Sequence, residues 1–102
     1  MADKRKYNRV PVQFNVTCVQ ADGISFEGSV RDVSVGGMFI ECAAPPVFAT
    51  ELTLVVVGVA ARELRLPAIV RWSEPHGFGV QFGLLGAYAT HALVDLMKKT
   101  SS

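Results

Sequence analysis

Apolar and polar residues alternate along most of the chain with the period of two that is typical of half-buried β-strands. The first such segment runs from Val10 to Cys18, where every second residue is apolar. Five further strand segments are predicted, at 24–31, 38–42, 52–59, 64–72 and 78–82. Within this set, 52–59 is apolar on both faces, as expected for a well-buried strand.

The connections between these segments carry turn signals, and the period changes only near the end of the chain. Asp22-Gly23 and Pro45-Pro46 are examples of the turn signals. After residue 82 the apolar residues follow helical spacing, at Leu85, Ala89, Ala92, Leu93 and Leu96. Short strands without crossover helices predict an antiparallel barrel or sandwich with a C-terminal helix packed on it.

Length and composition agree with one compact domain. The chain has 102 residues, of which 50% are hydrophobic, so disorder throughout is excluded. The most apolar run, Leu52 to Ala61, is roughly half of the ~20 residues that a membrane-spanning helix needs, and the polar N-terminal region does not resemble a signal peptide. We therefore expect a cytoplasmic protein without membrane insertion, with Cys18 and Cys42 as packing residues.

Two sets of large side chains are interpreted as structural. Trp72, Phe78 and Phe82 follow the alternation of strands and are predicted to lie in the core rather than to contact a ligand. On the helix, Val94 and Met97 lie outside the positions predicted to face the core, and they could instead contact a second copy of the chain. The sequence is therefore compatible with a monomer or a weak homodimer.

Positive charge is concentrated at the start of the chain, at Lys4, Arg5, Lys6 and Arg9. With Asp3, the first nine residues carry +3, whereas the remainder carries −2 and the whole chain +1. Arg5 and Arg9 form an R-x-x-x-R pair, and the planar guanidinium suits both phosphate and the Hoogsteen edge of guanine. The segment is either a solvated tail or an arm that binds an anion.

A second polar motif, D-x-S-x-x-G, consists of Asp32, Ser34 and Gly37, with Gly36 beside it. A carboxylate accepts two parallel hydrogen bonds, so Asp32 can take N1–H and N2–H of guanine, while Ser34 can donate to a phosphate or base oxygen. Gly36 and Gly37 permit positive φ and let a flat ligand approach the backbone. The competing interpretation is an Asx-turn with glycine punctuation.

Signatures of catalysis are missing from the sequence. His76 and His91 have no neighbours at metal-ligand spacing and are predicted to lie at the surface. No P-loop or dinucleotide fingerprint occurs, and no nucleophile has an evident base. We expect neither an enzyme nor a metal site, and no cofactor.

In its two polar motifs the sequence resembles the PilZ domain family, which is marked by R-x-x-x-R and, some twenty residues later, [DN]-x-S-x-x-G. The closing segments 70–72 and 77–82 also look like those of that family, so the resemblance covers the whole chain. It implies a six-stranded antiparallel β-barrel with a C-terminal α-helix, and a bacterial receptor for cyclic di-GMP. The ligand-binding residues that it implies are Arg5, Arg9, Asp32, Ser34 and Gly37, with Lys4, Lys6 and Gly36 as secondary candidates.

The resemblance further implies three segments: a ligand-clamping arm at 1–9, the barrel and helix at 10–99, and a tail at 100–102. The first hypothesis is an adaptor whose arm orders on the ligand and which then relays the signal to a protein effector. The alternative is a ligand-independent interaction module of motility, pilus or envelope-control machinery. Binding of DNA or RNA is not expected, because the body is mildly acidic and Tyr7 is the only aromatic residue of the arm.

Overall fold

The computed structural model describes residues 9–58 and 62–101, which form six strands and one helix. The elements are β1 (Val10–Gln20), β2 (Ser25–Val33), β3 (Gly37–Glu41), β4 (Glu51–Val56), β5 (Leu64–Glu74), β6 (Gly77–Phe82) and α1 (Ala87–Ser101). The strands close into an antiparallel barrel in the order β1-β2-β3-β6-β5-β4. The predicted barrel with a C-terminal helix is therefore confirmed.

The inward-facing side chains of the six strands form one core, to which the helix contributes Leu93. Phe78 and Phe82 lie in this core, as predicted, and so does Cys18. The fourth strand differs from its prediction: it ends at Val56, and Gly58, with a φ of 90°, turns the chain there. Its outward residues Thr53 and Val55 are only half-buried.

Helix α1 packs on β1 and β5. Near its start, the Tyr88 hydroxyl accepts a hydrogen bond of 3.1 Å from the backbone N–H of Arg62, whose guanidinium lies 4.1 Å from the centre of the Tyr88 ring. Cation–π contacts of this kind stabilise the position of a surface element modestly. Met97 packs against the barrel core and is therefore not part of a separate apolar face.

The strand register is irregular at three places: in β1 between Pro11 and Phe14, and at β-bulges in β2 and β5 that change which face the following side chains occupy. On β2, Val30 pairs with Ile40 and Asp32 pairs with Phe39, so one residue of β2 is extra. On β5, Val70 pairs with Val80 and Trp72 with Gly79, so one residue of β5 is extra as well. A bulge places two consecutive side chains on the same face.

The bulges carry Asp32 and Trp72 to the outer face of the barrel. Strict alternation from the buried residues Val30 and Val70 would direct both side chains inward. The prediction that Trp72 is a core residue is therefore wrong: it is 42% exposed. The physical reason is the extra residue Arg71, which reverses the direction of the next side chain.

The buried thiol of Cys18 makes stability depend on pH. Burial raises its pKa to about 12, and the nearby Cys42 and Glu27 add to the effect. The folded protein therefore holds this proton more tightly than the unfolded chain, so stability is fully present below the ordinary thiol pKa of about 8.5 and is lost as the pH rises above it.

We expect the urea midpoint to fall between pH 8 and pH 10.5, and to fall less in Cys18→Ala than in the wild type. The difference between the two slopes isolates the thiol from lysines and tyrosines that also titrate in this range. Equal slopes in both proteins would contradict a protonated, buried Cys18.

Candidate ligand-binding site

One row of residues runs across the outer face of five neighbouring strands. The register places Pro11 opposite Asp32, Asp32 opposite Phe39, and Gly79 between Phe39 and Trp72. A carboxylate and two large aromatic rings are thereby aligned on a rigid sheet. This row positions the candidate site.

Phe39 and Trp72 form an aromatic platform on either side of Gly79. Their ring centroids are 6.3 Å apart and their planes differ by 18°, which is a stacked arrangement. A Cβ on Gly79 would lie 2.2 Å from the Trp72 ring, and one on Gly77 would lie 2.5 Å from the Phe39 ring. The glycines of β6 thus let both rings lie close against the sheet.

Arg9 lies over this platform, directly before β1. Its guanidinium carbon is 5.7 Å from the centre of the Trp72 ring, and its Nη1 donates a hydrogen bond to Oδ1 of Asp32. The side chains are 19% and 33% exposed respectively, so the ion pair is partly shielded from water. Arginine presents five donors in a planar fork, and the bond to Asp32 uses one nitrogen of that fork.

The connection between β2 and β3 is a turn that Ser34 organises. The Ser34 N–H donates to the Gly37 carbonyl at 2.8 Å. Its Oγ accepts hydrogen bonds from the N–H groups of Gly36, at 3.1 Å, and Gly37, at 3.2 Å. Ser34 is 4% exposed. The competing interpretation of an Asx-turn is therefore not what the structure shows: the Ser34 hydroxyl organises the turn, and the Asp32 carboxylate bonds to Arg9 instead.

Neither glycine of the turn has a left-handed backbone conformation, and Gly37 serves close packing instead. Among the described glycines, positive φ occurs at Gly23 and Gly58, so the freedom that glycine gives at positions 36 and 37 is not used for positive φ. A Cβ on Gly37 would lie 2.0 Å from the carbonyl oxygen of Val80. Glycine is required at position 37 because strand β6 approaches its Cα closely.

The turn and the adjoining end of β2 bring five of the predicted residues to one region: Arg9, Asp32, Ser34, Gly36 and Gly37. The other three predicted residues, Lys4, Arg5 and Lys6, lie outside the described residues. The structure therefore joins the last residue of the R-x-x-x-R pair to the first residue of D-x-S-x-x-G by a direct ion pair.

Sequence reasoning missed the aromatic platform. The outward direction of the Phe39 side chain could have been predicted, because Phe39 alternates with Met38 and Ile40, which are buried. Gly77 and Gly79, two apart in one strand, also indicate a face where neighbouring side chains need room. The outward direction of Trp72 had no such signal, since it depends on a bulge.

Other chemistry is limited in the part of the chain that the structure describes. No group of three or more His, Cys, Asp or Glu side chains there is arranged to hold a metal ion. His76 and His91 are exposed, as predicted. Within the same residues, no helix has the length and apolar character needed to cross a membrane.

Fold and site together define a small antiparallel barrel with an arginine, a carboxylate and aromatic rings on its outer face. The PilZ domain model matches residues 3–98. The chain belongs to the PilZ domain family. No curated protein matches the sequence.

Solved structures with the same fold share little sequence with this chain. The PilZ domain of CeSA from a cellulose-synthesizing bacterium is 21% identical, with a TM-score of 0.76 over 93% of this chain and 99% of that one. The PilZ domain of YcgR from Escherichia coli, solved with c-di-GMP, is 14% identical, with a TM-score of 0.80 over 97% and 92%.

The inhibitor of motility MotI/DgrA from Bacillus subtilis is 16% identical, with a TM-score of 0.78 over 98% of this chain. The match covers 52% of that protein, so this chain spans about half of its length. At these identities the likeness concerns the fold.

The packing role of Gly37 leads to a test in the absence of any ligand. Gly37→Ala is expected to lower the free energy of unfolding by about 3 kcal/mol or more, because the new methyl group collides with the β6 backbone. Gly86→Ala is the matched control, since a Cβ there meets no atom within 4 Å. Urea unfolding of both variants provides the measurement, and a Gly37→Ala protein of normal stability would contradict the packing role.

Proposed function

We propose that this chain is a non-catalytic receptor for cyclic di-GMP, which binds the dinucleotide on the outer face of the barrel. The observation that carries the proposal is the position of Arg9, which lies between the Asp32 carboxylate and the Trp72 ring beside the D-x-S-x-x-G turn. Membership of the PilZ family supports it. So does a neighbour of the same fold that was solved with c-di-GMP.

The chemistry of the site suits a guanine nucleotide. The Phe39 and Trp72 rings offer a flat apolar surface, and base–aromatic stacking contributes about 1–3 kcal/mol per base. The Asp32 carboxylate can accept N1–H and N2–H from the Watson–Crick edge. The Arg9 fork can donate to O6 and N7 of guanine or to a phosphate.

In this proposal the remaining motif residues act around that centre. Arg5, four residues before Arg9, is the second arginine of the clamp, and Lys4 and Lys6 add positive charge beside it. Ser34 and Gly36 hold the turn in shape, and Gly37 keeps it close to β6. Arm residues that close over a bound ligand would convert binding into a new surface.

The signal would then pass to a protein effector. Several large apolar side chains of the described surface are exposed, among them Val47 at 74%, Phe48 at 62% and Leu84 at 96%. Val47 and Phe48 are consecutive in the connection between β3 and β4, and this exposed apolar pair is the candidate contact for the effector. The same observation supports a second candidate, an interaction module that binds its partner without the nucleotide; an identical set of captured partners with and without cyclic di-GMP would favour that candidate.

The receptor function is tested by calorimetric titration with cyclic di-GMP. Arg9→Ala and Asp32→Ala are each expected to weaken binding by about tenfold to a hundredfold, because each removes charge-assisted hydrogen bonds. The matched control is Arg65→Ala, which removes an exposed arginine paired with Glu63. The Arg65→Ala variant should bind cyclic di-GMP with the affinity of the wild type.

Thermal unfolding of each variant checks that the barrel is intact. Saturable binding that both site variants lose and the control keeps would support the receptor. A folded wild-type protein that gives no binding by calorimetry or by a second method would overturn it.

A further inference from the structure

Arg71 is the extra residue of the β5 bulge and lies beside Trp72 on the outer face. Its Nε donates a hydrogen bond of 2.8 Å to Oε1 of Gln81. Gln81 pairs in register with Gly37, the last residue of the D-x-S-x-x-G turn. Arg71 is therefore hydrogen-bonded to the residue of β6 that pairs with the turn. This residue, Gln81, lies two positions along β6 from Gly79 of the aromatic row.

Arg71 differs from Arg9, Arg31 and Arg65 in the partner of its charge, while Arg62, which has no described ion pair either, places its guanidinium over the Tyr88 ring of helix α1. Arg9, Arg31 and Arg65 each lie within 4.0 Å of a carboxylate, with distances of 3.7 Å and 2.7 Å for the latter two. Within the described part of the chain, Arg71 has no such ion pair and is bonded to a neutral amide. The hydrogen bond to Gln81 thus fixes the position of the Arg71 guanidinium, and no carboxylate among the described residues neutralises its charge.

A phosphodiester ligand would supply the missing negative charge. The Arg9–Asp32 pair is neutral as a unit, so it contributes little net charge toward an anion. Because the bond to Gln81 uses Nε, the two terminal amino groups of Arg71 are the donors available for a bidentate contact with phosphate oxygens. Among the described residues of this site, Arg71 adds the positive charge that the neutral Arg9–Asp32 pair does not supply.

We infer that Arg71 is a further ligand contact of this site, which binds a phosphate of the dinucleotide, and that Gln81 is the residue that positions it. The inference rests on the proposed function and extends it to residues outside both sequence motifs. In this arrangement Trp72 and Arg71, neighbours in one bulge, present a stacking surface and a phosphate donor together.

The test is titration with cyclic di-GMP at several salt concentrations. Arg71→Ala is expected to weaken binding about tenfold and to make the affinity less dependent on salt. Arg71→Lys, which keeps the charge but loses the fork, should retain the salt dependence with an intermediate affinity. Arg65→Ala, an exposed arginine of the same strand, is the matched control and should resemble the wild type in both respects.

The positioning role of Gln81 is tested by combining variants. Gln81→Leu removes the acceptor and is expected to weaken binding several-fold, but in an Arg71→Ala background it should have no further effect. A purely structural role of Gln81 would weaken both backgrounds equally. Unfolding temperatures of all variants should stay near that of the wild type.

The outcomes separate the two proposals. A wild-type protein that does not bind cyclic di-GMP overturns the proposed function and this inference with it. A wild-type protein that binds, together with an Arg71→Ala variant of unchanged affinity and salt dependence, overturns the inference and leaves the receptor standing.

Discussion

Side-chain alternation in a β-strand is a strict geometric constraint, and the surface chemistry of this barrel depends on breaking it twice. One extra residue in β2 and one in β5 direct Asp32 and Trp72 outward, although the neighbouring residues Val30 and Val70 remain in the core. Without the two bulges a carboxylate and an indole would point into an apolar interior. Burial of an unpaired carboxylate costs several kcal/mol, so these bulges serve stability as well as function.

The outward residues meet because of the glycines in β6. Gly79 lies between Phe39 and Trp72 in the register, and any side chain there would displace the Trp72 ring. The platform then supports the Arg9 guanidinium, which the Asp32 carboxylate holds from the other side. A site whose parts lie on a rigid sheet is preorganised, so less binding energy is lost in ordering those parts when the ligand arrives.

The sequence predicted most of the barrel and only part of the candidate site. Alternation identified all six strands and core residues such as Phe78, because hydrophobic burial acts on every second residue in the same way. The motifs pointed to Arg9 and Asp32 by residue type and spacing, and the structure joins these two side chains in an ion pair. The outward direction of Trp72 was not predicted because no local sequence pattern indicates a bulge. The extra residue is recognised only when the strand is aligned with its partner strand. The role of Gly37 escaped for the same reason, since the atom that requires glycine belongs to a strand more than forty positions away.

The central claim is that the dinucleotide binds against the only tryptophan of the chain, Trp72. Intrinsic fluorescence therefore reports on the site without any label. Titration with cyclic di-GMP should change the tryptophan emission in a saturable manner, with the affinity that calorimetry gives. Binding detected by calorimetry while the Trp72 emission stays constant throughout the titration would place the ligand elsewhere and contradict the account.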